Sequence, residues 1–175
     1  ACRGCSTNSC YDTELLACAQ FVAAPHDLGG GNANPDLRPV AVNNSWGDCG
    51  QSYDGWYRTV VDSWVAAGVY PAFSNGNNSN CGYSSDPPLG TVGNPARYGN
   101  VSGVGSTSKS SSTYAPHSNK GPTDNPDPIN PVDGWEFLKP QFAAPGVGIR
   151  SSTQGSDTSY ASYTGTSMSA PHVDR

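Results

Sequence analysis

Ser167 stands in Gly165-Thr-Ser-Met-Ser-Ala-Pro-His-Val173, where small neighbours and a proline four positions on suit a loop that turns into a helix. Proline is tolerated only in a helix's first turn, so the spacing puts Ser167 at the helix start. A hydroxyl is exposed there, and unpaired backbone N–H groups and the helix dipole favour a developing oxyanion. Two further polar clusters each follow a short apolar run: Asn43-Asn44-Ser45-Trp46-Gly47 and Ser74-Asn75-Gly76-Asn77. Asparagines such as Asn77 are common turn formers. Trp46 can equally fill the core or sit beside a ligand. A serine hydroxyl is a weak nucleophile until a neighbouring base takes its proton. Only His26, His117 and His172 could supply an imidazole. His172 is five residues past Ser167, about 140° round the same helix, and faces away from it. His26 in Pro25-His26-Asp27 and His117 in Tyr114-Ala-Pro-His-Ser-Asn-Lys120 read as surface-loop residues.

The elements that must position these groups alternate along the chain. Leu15, Leu16, Ala19, Phe21, Val22 and Ala23 recur at helical spacing between Asp12 and Ala24, and Pro25 stops the pattern. Val40-Ala41-Val42 follows as a short buried strand. Trp56, Val60, Val61, Trp64 and Val65 form one face of a second helix within residues 54–67, with Gly68 as its stop. Strands are expected at residues 69–73, 101–104 and 142–144. Helix then strand, twice, is the pattern of an α/β fold with a parallel sheet and helices on its faces. Such sheets carry their chemistry in loops at the carboxyl ends of the strands, where both polar clusters lie.

Composition narrows the partners. The 175 residues suit one domain, and charged residues make only 13% of the chain, roughly half the usual share. Nine Lys and Arg against fourteen Asp and Glu give a net charge of −5, the wrong sign for a nucleic-acid partner. No apolar run reaches the ~18 residues needed to span a bilayer. No basic-then-apolar leader opens the chain, so the expectation is that any leader has been removed. The stretch Gly121-Pro-Thr-Asp-Asn-Pro-Asp-Pro-Ile-Asn-Pro131 reads as a stiff surface loop. Six cysteines point to an oxidising setting outside the cytosol, and they allow fifteen connectivities. A four-thiolate zinc site on Cys2, Cys5, Cys10 and Cys18 competes with disulfides, although the second pair lacks the usual tight spacing. Cys10 and Cys18, if both on one helix, would lie about 12 Å apart and could not bridge. Cys49 and Cys81 follow strand ends on one face, which favours a bridge that tethers their loops.

Taken in order, several segments resemble the subtilisin-like serine peptidases. Gly165-Thr-Ser-Met-Ser-Ala-Pro-His-Val173 resembles their nucleophile motif, and Val42-Asn-Asn-Ser-Trp-Gly47 their substrate-binding strand segment. Ala67-Gly-Val-Tyr-Pro-Ala-Phe-Ser-Asn-Gly-Asn77 is similar to the stretch that ends in the oxyanion asparagine. Thr91-Val-Gly-Asn-Pro-Ala-Arg-Tyr98 with Asn100-Val-Ser-Gly-Val-Gly105 resembles the segment lining the specificity pocket, and Phe142-Ala-Ala-Pro-Gly146 the Ala-Pro-Gly turn. The Asn-Asn-Ser-Trp-Gly variant is most similar to the bacillopeptidase F-like branch.

The resemblance implies a three-layer αβα, subtilisin-like fold with a mainly parallel sheet, incomplete at both ends. It makes Ser167 the nucleophile, with Asn77 and the Ser167 N–H as oxyanion donors. It assigns substrate binding to Ser45, Trp46, Gly47, Ser74, Asn75, Gly76, Gly93 and Asn94, with Gly76 and Gly93 leaving room for a side chain and Asn94–Pro95 a cis bond. It implies a polypeptide substrate, no required cofactor, no metal at the site, calcium as a candidate structural ion, and secretion. The family order is Asp, His, Ser, so the Asp and His segments should precede Ala1, and Ala1-Cys2-Arg3 resembles the tail of the strand after the catalytic His. Residues 1–175 then make part of one peptidase catalytic domain, inactive alone, whose Asp and His come from a companion segment. The alternative is an inert fragment or pseudoenzyme that binds extended peptides.

Overall fold

In the computed structural model, residues 2, 5, 9–123 and 138–174 are described. Ala1 and Arg3 of the expected strand tail, and the part of the proline-rich stretch beyond Thr123, lie outside them. Four strands, β1 (Ala41–Asn44), β2 (Tyr70–Ser74), β3 (Ser102–Thr107) and β4 (Phe142–Pro145), form one sheet in the order β1-β2-β3-β4, every neighbouring pair parallel. Helices α1 (Asp12–Ala23) and α2 (Arg58–Ala66) cover one face, and the short α3 (Thr166–Ser169) covers the other. This is the α/β layering that the alternation of patterns predicts.

Strand periodicity explains how two cores form. Successive side chains of a strand point to opposite faces. On β2, Phe73 joins Leu15, Ala19, Tyr57, Val61, Trp64, Val69 and Tyr98 on the α1–α2 side. Its neighbour Ala72 joins Val104, Ala144 and Ala170 beneath α3. Residues this small bring α3 close to the sheet. The two long helices are tied by the Trp64 indole N–H to the Ala19 carbonyl at 3.2 Å and the Tyr57 hydroxyl to the Leu15 carbonyl at 3.4 Å.

Each expected helical face is narrower in the structure. On α1, Leu15 and Ala19 are buried and Val22 and Ala23 pack against the core, while Leu16 points to solvent. On α2, Val61 and Trp64 are buried and Val60 is half-buried, whereas Val65 is exposed. Trp56 precedes the helix, because α2 begins at Arg58. Gly68, at φ +78°, makes the left-handed step after α2 that leads into β2.

Beyond β4, β5 (Ile149–Ser152) and β6 (Tyr160–Tyr163) pair as an antiparallel hairpin that leads to α3. The cysteines are bridged as Cys2–Cys18, Cys5–Cys10 and Cys49–Cys81, so the zinc alternative is overturned. Among the described residues no helix is long and apolar enough to cross a membrane.

Candidate active site

The carboxyl ends of β1 and β2 and the start of α3 meet at one cleft of about 480 Å³. Ser45, Trp46, Gly47, Ser74, Asn75, Gly76, Asn77, Gly93 and Ser167 all line it. Asn94 stands behind this surface, buried, and holds its wall. The Asn94 backbone N–H donates to Asp48 Oδ1 at 2.7 Å, Asn94 Nδ2 donates to Asp48 Oδ2 at 3.0 Å, and the Asp48 N–H donates to the Asn94 carbonyl at 2.9 Å. The Asn94–Pro95 bond is cis.

Ser167 lies in the first turn of α3, where helical N–H groups have no intrahelical partner. Its own N–H donates to no acceptor among the described residues. The Ser167 hydroxyl donates to the Ser45 carbonyl at 3.3 Å, and the Ser45 hydroxyl donates to the Ser167 carbonyl at 3.0 Å. The turn before it is fixed by the Ala-Pro-Gly segment: the Gly165 N–H donates to the Gly146 carbonyl at 2.8 Å. A side chain at Gly146 would place its Cβ 2.2 Å from Ser169 Oγ and 2.3 Å from Ser106 Oγ, so only glycine permits this approach.

Asn77 is held in one orientation. Its Oδ1 accepts from the Thr166 backbone N–H at 2.9 Å and from the Thr166 hydroxyl at 3.1 Å. A backbone N–H can only donate, so the oxygen faces Thr166 and the two protons on Nδ2 are left over. Thr166 thus orients the Asn77 amide, which together with the Ser167 N–H has the donors to bind an oxyanion. Asn77 is bridged to Ser118, and the Asn78 N–H donates to the His117 carbonyl at 2.8 Å. Gly76 adopts φ +96°, and a Cβ there would lie 2.8 Å from Asn119 Nδ2.

The glycines therefore act differently from the expectation that Gly76 and Gly93 leave room for a substrate side chain. A Cβ at Gly93 would lie 2.0 Å from the Asp48 carbonyl oxygen, and one at Gly47 would lie 2.9 Å from the Asn94 carbonyl oxygen. Their smallness brings the 47–50 and 93–95 segments into contact and so shapes the cleft wall. Trp46 belongs to both the cleft wall and the core. It lines the cleft and packs edge-on against Tyr57 and Phe73, with its N–H on Asn44 Oδ1 at 3.2 Å. Trp46 and Gly47 take part in no backbone hydrogen bond among the described residues, which leaves them open to an extended partner.

No imidazole bonds to Ser167. The His26 Nδ1–H donates to the Asp27 carbonyl and the His172 Nδ1–H to the Met168 carbonyl, 2.7 and 2.8 Å away. The surface-loop reading of His117 is corrected. Its loop is packed beneath the oxyanion segment, with Ser118 and Asn119 fully buried and His117 half-buried. Loss of solvent lowers the His117 pKa below the ordinary histidine value. The role of this loop under Asn77 was missed because a polar Pro-His-Ser-Asn run carries no burial signal. Among the described residues no cluster of three or more His, Cys, Asp or Glu side chains is placed to hold a metal ion.

Over 162 residues the chain is 36% identical to bacillopeptidase F of Bacillus subtilis (strain 168), covering 93% of this chain and 10% of that protein. A solved structure titled S41 psychrophilic protease superposes with a TM-score of 0.56 at 25% identity, over 77% of this chain and 40% of that one. The prenylagaramide maturation protease PagA shares the fold, with a TM-score of 0.65 at 16% identity over 98% of this chain and 50% of that one. The chain thus spans only a tenth of the curated relative. The profile of the subtilase family matches residues 2–174, and the chain belongs to that family.

Proposed function

We propose that this chain carries the nucleophile, the oxyanion site and the substrate-binding strand of a secreted serine endopeptidase, and that its Asp and His come from a companion segment. The observation that carries this reading is the convergence of Ser167, its free N–H and the Thr166-oriented Asn77 amide on one cleft. Ser167 Oγ would attack a peptide carbonyl while a base takes its proton. The Ser167 N–H and Asn77 Nδ2 would hold the resulting oxyanion, and collapse would expel the amine and leave an acyl-enzyme. The substrate would lie extended along Ser45, Trp46 and Gly47 as an added strand, with Ser74, Asn75, Gly76 and Gly93 forming the pocket and Asn94 bracing its wall from behind. The chemistry requires no cofactor, and calcium would serve only as structural support. Three disulfides support a destination outside the reducing cytosol.

Among the described residues β1 has a neighbour on one side only. Its other side opens on a groove of about 770 Å³ lined by Leu15, Phe21, Val22, Ala41 and Val42. A companion segment that adds a strand to β1 would cover these apolar groups and bring a base to Ser167. The second reading, a peptide-binding chain without catalysis, is favoured by the hydrogen bond that sets the Ser167 hydroxyl on a carbonyl instead of an imidazole. Co-expression with an Asp- and His-bearing subtilase segment separates the two. Proteolysis that is restored by the segment and abolished by Ser167→Ala supports the endopeptidase. A folded complex with no proteolysis supports the binding chain.

A further inference from the structure

Among the described residues, Asp48 is the one charged residue that lines the cleft beside Ser167; the rest of that lining is Ser, Asn, Gly, Cys and Trp. Its carboxylate is exposed, and among the described residues no lysine or arginine pairs with it. The loop fixes it in place. Oδ1 accepts from the Gly50 N–H at 3.0 Å, the Asn94 N–H at 2.7 Å and Asn94 Nδ2 at 3.3 Å. Oδ2 accepts only from Asn94 Nδ2, at 3.0 Å. A carboxylate oxygen has about two lone pairs, so Oδ2 keeps the capacity to accept from one more donor. The Cys49–Cys81 disulfide joins this loop to the one that follows Asn77, so the carboxylate sits on a tethered wall.

We propose that Asp48 makes this cleft select a basic side chain, arginine or lysine, on the residue that presents its carbonyl to Ser167. The proposal rests on the reading of this cleft as a polypeptide site. A cation brought to Asp48 donates a charge-assisted hydrogen bond to a preorganised carboxylate, whereas an apolar side chain would desolvate that carboxylate without return. The polar lining offers an apolar side chain little compensation.

The test uses the 175-residue chain and three acetylated tetrapeptides with free C-termini, which differ only in a last residue of arginine, citrulline or phenylalanine. Citrulline keeps the shape of arginine and lacks its charge. Calorimetric titration should show arginine binding about fivefold to tenfold more tightly than citrulline, with the advantage shrinking as salt is raised. In Asp48→Asn the arginine advantage should disappear. The comparison of peptides on the unaltered chain stands even where that variant fails to fold. Equal binding of arginine and citrulline, or tighter binding of phenylalanine, overturns the proposal and leaves Ser167 as nucleophile untouched. Failure of all three peptides to bind overturns it as well, and covalent labelling of Ser167 then judges the catalytic reading separately.

Discussion

Ser45 and Ser167, 122 residues apart in sequence, hold each other by two hydrogen bonds, each hydroxyl on the other's carbonyl. The segment after β1 and the start of α3 are therefore one unit. The same bonds set the Ser167 hydroxyl on a carbonyl, an acceptor that cannot take its proton. Ser45→Ala removes one of the two bonds, and the net worth of such a bond is about 0.5–1.5 kcal/mol. Denaturant unfolding should show a loss within that range.

Asn77 and Thr166 give the next expectation. In subtilisin, itself a member of this family, loss of the oxyanion asparagine costs about 10²–10³ in rate. In the complex with a companion segment, Asn77→Ala should lower kcat by a similar factor with little change in KM. Thr166→Val keeps the backbone N–H bond to Asn77 Oδ1 and loses the hydroxyl bond, so its kcat should fall by less. An unchanged kcat in Thr166→Val would contradict the positioning role of the Thr166 hydroxyl.

Gly146 is required by contact instead of by conformation. Gly146→Ala would push a methyl into Ser106 Oγ and Ser169 Oγ, and overpacking of this kind costs about 1–3 kcal/mol. The urea midpoint should drop accordingly, and the fluorescence of peptides bound at the cleft should report a displaced α3.

His117 predicts a pH dependence. Its pKa in the folded chain is lowered by burial, so the unfolded chain binds its proton more readily. Stability should therefore be full above about pH 6.5, the unfolded value, and fall as pH drops toward the lower folded value. His117→Asn should flatten that slope in urea unfolding curves recorded across this range. The effect should reach the cleft, because the His117 carbonyl holds the Asn78 N–H next to Asn77.

Much of this was legible from the sequence, for physical reasons that also explain the rest. Strands such as β2 and β3 are buried on both faces, so their continuous apolar or small-residue runs stand out. Ser167, Asn77 and Gly93 lie in motifs whose order restricts the fold. The hairpin of β5 and β6 left no such trace, since Arg-Ser-Ser and Tyr-Ala-Ser-Tyr are mostly exposed. Nor could composition reveal that Asp48 fills the space beside Gly93, or that Ser118 and Asn119 are buried, because these follow from loops meeting across the sheet.

On the function proposed above, Ser167 becomes a nucleophile only when a companion segment supplies its base. The most direct measurement is the intact mass of the protein after treatment with a fluorophosphonate, with and without an Asp- and His-bearing subtilase segment. No adduct is expected on the 175-residue chain, and a single adduct on Ser167 is expected in the complex and absent in Ser167→Ala. An adduct on the isolated chain, or none on a folded complex, would contradict that proposal.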